Sequence, residues 1–182
     1  VSMSTATNLL SSFAPAIGGN PIVLILGSMP GEVSLRLGQY YAHPRNLFWQ
    51  LMSDLVDVPP SLVYDERIRE LGERGIALWD SLKHCQRPGS LDQHIVRVTE
   101  VPNDFMALLT EHPTIRAIAF NGKKSEAAFR RHVQPSLPQA MVNKLHFQGL
   151  PSSSPANAGL TYEQKLTRWR VILDYLPAIP AK

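Results

Sequence analysis

The chain of 182 residues is almost without cysteine, Cys85 being the only one. A single thiol closes no disulfide within the chain and builds no four-cysteine zinc or iron–sulfur site, which points to reducing surroundings. Long apolar runs are missing too. Ile22–Leu26 is as long as any, far short of the roughly 20 residues that a membrane-spanning helix needs. No Lys or Arg stands among Val1–Asn20, so its small and apolar residues lack the charged start of a signal peptide, and a cytosolic protein is the expectation. Charge is sparse: 18% of residues carry it, for a formal balance of +3. So slight an excess permits a polyanionic partner without requiring one.

What is present is a chain with 44% hydrophobic residues, enough for one sizeable core. Residues 1–20, with Ser11, Ser12, Pro15, Gly18, Gly19 and Asn20, read as an arm or short helix ahead of a single domain over 21–182. Ile22–Leu26 is apolar on both faces, as a central parallel strand is, and ends in the turn Gly27–Gly31. Leu47, Phe48, Leu51, Met52 and Leu55 follow helical spacing after Pro44, and Pro59-Pro60 stops them. A helix over about 64–74, a strand over 76–79 and a polar loop over 80–93 come next. Then follow a helix from about 102, a strand over 115–120, a helix over 123–132, a strand over 144–147 and a closing helix over 162–176. Strands alternating with helices predict an α/β fold, a three-layer α/β/α sandwich with a mostly parallel sheet of about four strands. Ligands of such sheets sit outside the carboxyl ends of the strands, which here are 27–31, 80–81, 121–122 and 149–157.

The turn Gly27-Ser28-Met29-Pro30-Gly31 lacks the spacing of a dinucleotide fingerprint, the Gly-Lys-Ser/Thr ending of a P-loop and the geometry of a nucleophile elbow. Its amides can line a pocket, or it is simply a tight turn. In the block from Gln39 to Trp49, Phe48 and Trp49 belong to the core stripe. His43, Arg45 and Asn46 instead lie where a helix begins, which favours a negative ligand or leaving group. Leu150–Gly159 gathers Ser152, Ser153 and Ser154, which suit phosphate oxygens or simply solvate a loop. Lys83 and Arg87 near Cys85 can lower a thiol pKa, but no partner base is evident. Lys123, Lys124, Arg130 and Arg131 form a basic face of one helix or merely a solvated one.

Taken in order, three segments resemble the uracil-DNA glycosylase superfamily: the Gly27–Gly31 turn, Gln39-Tyr40-Tyr41-Ala42-His43-Pro44-Arg45-Asn46-Leu47-Phe48-Trp49, and Ser154-Pro155-Ala156-Asn157. They are most similar to its hypoxanthine-DNA (deoxyinosine) glycosylase branch, related to the mismatch-specific uracil-DNA glycosylases. Gly75–Asp80 and Arg87–Asp92 share in the likeness, which spans roughly 22–160. The resemblance implies a monofunctional enzyme of base excision repair. It would flip a deaminated base out of double- or single-stranded DNA and hydrolyse its N-glycosidic bond, with hypoxanthine favoured and uracil or xanthine further substrates. It needs no cofactor and no metal, and works as a monomer in the cytoplasm, on the nucleoid when bound to DNA.

Carried over by position, the resemblance makes Asn46 the catalytic residue, its amide oxygen orienting water and its nitrogen donating to the leaving base. A helix-capping asparagine is the plainer alternative. Tyr41 matches an aromatic that stacks on the flipped base. Asp80 stands where classical members carry a base-reading asparagine, and as an ionised carboxylate would accept the ring N–H while Asn121 donates to the carbonyl. Gly27, Ser28, Met29 and His43 complete the base pocket, and Ser152, Ser153, Ser154, Pro155, Ala156 and Asn157 form the phosphate and wedge loop. Two departures stand out. Met29 replaces the Asp or Asn that holds water in many relatives, and Ser152 replaces a histidine that stabilises the leaving base. They keep a second reading open, a non-catalytic DNA-binding protein on the same fold.

Overall fold

A computed structural model describes residues 8–178. Its centre is a four-stranded sheet in the order β3-β2-β6-β7, made of β2 (Val23–Gly27), β3 (Ile76–Asp80), β6 (Ala117–Asn121) and β7 (His146–Leu150). All its pairings are parallel. The first three strands are buried along their whole length, because helices cover both faces, and that is why their sequences are apolar runs rather than alternations. Val23 and Ile25 face α2 (Phe48–Val56), α3 (Tyr64–Glu73) and α6 (Tyr162–Trp169). Leu24 and Leu26 face α4 (Phe105–Glu111) and α5 (Lys123–His132). The architecture is the three-layer α/β/α sandwich.

One strand and one helix depart from their expected limits. The expected strand at 144–147 forms at His146–Leu150, because Lys144 and Leu145 donate to the Met141 and Val142 carbonyls and close a turn. The closing helix starts at a capping box of Thr161 and Gln164, but is α-helical only to Trp169 and tightens to a 3₁₀ helix over Arg170–Asp174. A short α1 (Glu32–Leu37) follows the first turn.

Within the stretch 8–20, Leu9–Ser11 is a strand, β1, not a helix; residues 1–7 of the expected arm lie outside the described residues. It pairs antiparallel with β4 (Leu82–Gln86), which pairs with β5 (Val101–Pro102). This small sheet occupies part of the expected polar loop 80–93. The segments that follow β1 and β5 hold the β3 end in place: Trp79 donates to the Phe13 carbonyl and Asn103 to the Asp80 carbonyl.

The carboxyl ends of β2, β3 and β6 lie side by side, Gly27 opposite Asp80 and Leu26 opposite Phe120. From β2 the chain leaves toward β3 and from β6 toward β7, so a crevice opens between their ends.

Candidate active site

Gly27 is the floor of this crevice. A Cβ placed on it would lie 2.5 Å from Asp80 Oδ1 and 3.4 Å from the Tyr41 hydroxyl, so only glycine lets the three come together. Asp80 is 4% exposed, and its Oδ2 has no hydrogen-bond partner among the described residues. Nor, among them, has the buried Tyr41 hydroxyl. Two unpaired polar atoms in one desolvated spot are costly, and they mark a place built to meet something else. Tyr41 is also held at φ 55°, a left-handed backbone that a bulky side chain adopts only under constraint. The turn lays its ring on Phe48, with centroids 4.0 Å apart and planes 22° apart. Burial and the charge of Asp80 push the phenol well above its ordinary pKa, so it stays a hydroxyl and a donor. Burial also pushes Asp80 up to about 8, the neighbouring Asp92 charge adding to the shift and Arg87 opposing it. At neutral pH Asp80 is therefore mostly a neutral acid with one donor and one acceptor, not the ionised acceptor that its position in the sequence suggested.

Asn46 sits at the entrance to α2. Its Oδ1 accepts from the Phe48 amide at 3.0 Å, and its own amide donates to the His43 carbonyl at 2.9 Å. The Phe48 N–H pins the orientation of the side chain, so Nδ2 faces the other way, with no partner among the described residues. His43 Nδ1 accepts from the Arg45 amide at 3.1 Å, which ties the imidazole to its own loop.

The final loop is drawn to this block from above. Leu47 N–H donates to the Ser153 carbonyl at 3.0 Å. Asn121 at the end of β6 donates to Ser153 Oγ and accepts from its amide, each at 2.8 Å. Asn121 thus latches the loop with its oxygen and one N–H, and the second N–H of its amide remains on the side of the nearby Tyr41 hydroxyl. Ser153, fully buried, is not at the surface where a phosphate could reach it. Ser152 and Ser154 are half-buried, Asn157 is half-buried and bonded to the Ser152 carbonyl, and Pro155 and Ala156 are exposed at the tip.

Met29 turns away from the crevice into a small cluster with Leu82, Cys85, Ile95 and Ala128, so an apolar residue is what that place requires and no base contact comes from its side chain. Ser28 donates to Asp92 at 2.7 Å. Cys85 is buried in the same cluster, and its burial outweighs Arg87 and raises the thiol pKa, the reverse of an activated nucleophile. Arg87 itself is 4% exposed. It donates to the carbonyls of Met29, Pro30 and Gly89 at 3.2, 2.6 and 2.8 Å, which makes it the clamp of the first turn.

The family model of the uracil DNA glycosylase superfamily matches residues 15–176. The chain belongs to that superfamily. Two curated relatives, each named hypoxanthine DNA glycosylase, are 41% and 37% identical over 114 residues, 62% of this chain and 71% of theirs; they come from Methanosarcina barkeri and Methanosarcina acetivorans. A solution NMR structure of a candidate uracil DNA glycosylase from Methanosarcina acetivorans superposes with TM-score 0.74 and 30% identity, covering 91% of this chain and 96% of that one. The protein is a DNA glycosylase, a hydrolase of N-glycosidic bonds.

In this glycosylase the structure brings Gly27, Tyr41 and Asp80 together, and ties the Asn46 block to the final loop through Leu47 and Ser153. It removes Met29 and Ser153 from contact with substrate. Sequence reasoning missed the residues that hold the site from behind: Arg87 under the first turn, Trp169, which donates to the Pro151 carbonyl at 2.9 Å, and the buried Lys165, which donates to the Asn157 carbonyl at 2.6 Å. Lys165 stands on the apolar stripe of Tyr162, Leu166 and Trp169, and a lysine inside such a stripe is the signal that could have found it. The basic face of α5 is mostly spent. Lys124, Arg131 and His132 converge on the buried Glu100, and Arg130 pairs with Glu126. The latch makes a prediction. Asn121→Ala strands two buried polar groups of Ser153, so the protein loses about 1–3 kcal/mol in a urea titration. Amide exchange should quicken first in residues 151–157.

Proposed function

We propose that this glycosylase removes deaminated bases from DNA, hypoxanthine first and uracil or xanthine after it, as the opening step of base excision repair. The observation that carries the reading is the buried Asp80 carboxyl beside the Tyr41 hydroxyl over Gly27, with Asp80 Oδ2 and that hydroxyl each lacking a hydrogen-bond partner among the described residues. Deamination converts an amino group beside a ring acceptor into a carbonyl beside a ring N–H. A neutral Asp80 meets that edge with two hydrogen bonds, its O–H to the carbonyl and its C=O from the N–H. The names of the two curated relatives agree with hypoxanthine as the favoured base.

The target nucleotide leaves the helix stack and its base lies on the Tyr41 ring, which Phe48 backs. Both polar atoms are sealed from solvent, so base entry requires a side-chain movement, and the strained Tyr41 is the element that relaxes. Water attacks C1′ of the deoxyribose as the bond to the base breaks. The electron pair leaves with the base, the proton that the water gives up neutralises it, and the products are an abasic site bearing the new hydroxyl and the free base. Asn46 Nδ2 donates to the departing base, and the Asp80 O–H bonds the carbonyl oxygen on which the leaving charge spreads. No lysine nucleophile or metal takes part. The enzyme acts as a cytoplasmic monomer, bound to the nucleoid through DNA.

The test is incubation with duplex oligonucleotides carrying one hypoxanthine, uracil or xanthine, followed by alkaline strand cleavage. Cleavage at hypoxanthine should be fastest. Intact strands with all three lesions, at protein in excess over DNA, would overturn the reading.

A further inference from the structure

The segment 87–94 makes more contact with the first turn than a connecting loop needs. Arg87 takes the Met29 and Pro30 carbonyls from below, Ser90 Oγ accepts from the Glu32 amide at 2.9 Å, and Asp92 accepts from Ser28 at 2.7 Å. Three anchors within six residues fix a rigid spur. Between the anchors at Ser90 and Asp92 stands Leu91, at the start of the 3₁₀ turn Asp92–His94, with 39% of its surface exposed. The spur borders the crevice, since Asp92 is bonded to Ser28, the residue that follows Gly27, and Ser90 lies against Gly31. Pro88, Gly89, Ser90, Gln93 and His94 around it are exposed, as is Arg97 beyond the turn.

An exposed leucine held rigidly beside a base pocket costs hydration and contributes nothing to the core. Enzymes that extrude a base must fill or hold open the gap left in the stack, and apolar side chains inserted between base steps do this. The final loop offers Pro155 and Ala156 at its tip, and neither has the reach of a leucine. We infer that Leu91 is a second wedge, which enters duplex DNA beside the flipped nucleotide from the first-turn side of the pocket. Gln93 and His94 lie beside it as donors to the facing bases or phosphates, and Arg97 beyond them is a further cation. The inference rests on the base-flipping reading given above, and concerns the duplex rather than the lesion.

A wedge matters only where there is a stack to open. Leu91→Ala should therefore lower the single-turnover rate on duplex hypoxanthine DNA roughly tenfold or more, the scale set by the cost of unstacking a base step. The rate on the same strand without its complement should stay within about twofold, and Leu91→Met should restore most of the duplex rate, since methionine also serves as a wedge. Val98→Ala, which trims a residue that is 94% exposed on the next 3₁₀ turn, should change neither. Equal losses on both forms of DNA, or no loss on either, would overturn the wedge. Failure of the base-release reading would show differently, as wild-type protein inactive on both forms. The wedge is then decided by binding to a duplex carrying an abasic-site analogue against the intact duplex: the preference should be present in wild type and collapse in Leu91→Ala, and an unchanged preference in the variant would refute it.

Discussion

Asn46→Ala is expected to lower base release by about 10² to 10³-fold, the loss typical of deleting one preorganised donor at a developing negative charge. The protein should remain folded. Among the described residues the side chain makes a single hydrogen bond, from the Phe48 amide to Oδ1, so its removal costs about 0.5–1.5 kcal/mol of stability and cannot by itself explain a large kinetic loss. Asn46→Asp separates the two jobs the amide can do. An aspartate still accepts from the Phe48 N–H and can still orient water, but at neutral pH it has nothing to donate. If donation from Nδ2 to the leaving base is what counts, Asn46→Asp is as inactive as Asn46→Ala. If water orientation is what counts, the aspartate variant keeps much of the rate. The geometry favours donation, because the oxygen is already engaged by the backbone of α2 and the nitrogen is not. Full activity of Asn46→Ala on every base released by the wild type would reduce Asn46 to a helix-entry residue.

The legible parts of the molecule were those that depend on short-range pattern. A strand buried on both faces must be apolar throughout, so Ile22–Leu26 and the run before Asn121 announced themselves, and the first polar residue after each marked the crevice. The same logic put Asp80 at the site. Its protonation was not legible, because that follows from burial and from Asp92, which the anchored segment 87–92 and its bond to Ser28 bring close. Nor was the small sheet. β4 carries only Leu82 and Cys85 as apolar residues, and its partner β1 lies on the far side of β2 and β3 in the chain, with Ser11 73 residues from His84. Arg87 looked like one cation in a polar loop, and what it does depends on three carbonyls that no spacing rule reveals. Asn121 shows how far position alone reaches. Its strand-end place suits a base reader, but that its oxygen and one N–H hold Ser153, leaving one N–H near the Tyr41 hydroxyl, depends on a loop 32 residues away in the chain.

The second large effect concerns pH. Asp80 is pushed up to about 8 by burial and by Asp92, with Arg87 pulling the other way and the hydroxyls of Tyr41 and Tyr40 close by. If its O–H bonds the carbonyl of the flipped base, release of hypoxanthine should hold level up to about pH 7 and fall as pH rises through about 8. Asp80→Leu, which offers neither donor nor acceptor, should be slower by about 10²-fold at pH 7. Asp80→Asn keeps a donor and an acceptor at every pH, so it should retain much of the neutral rate and lose the alkaline decline. Asp92→Asn should move the decline to lower pH, since it removes a charge that disfavours ionised Asp80. Stability follows from the same proton. The folded protein holds it to about pH 8, whereas the unfolded chain releases it near the ordinary value of about 3.9. Between these values the unfolded state binds fewer protons, so this group makes stability fall as pH rises from about 4 to about 8, with no further change above. Asp80→Asn removes that slope. Urea midpoints at pH 5, 7 and 9 should therefore converge between wild type and variant at the acid end, with the variant the more stable at pH 9 by an amount of order a few kcal/mol. Parallel pH slopes for the two proteins, or a rate decline that survives in Asp80→Asn, would mean that the proton lies elsewhere.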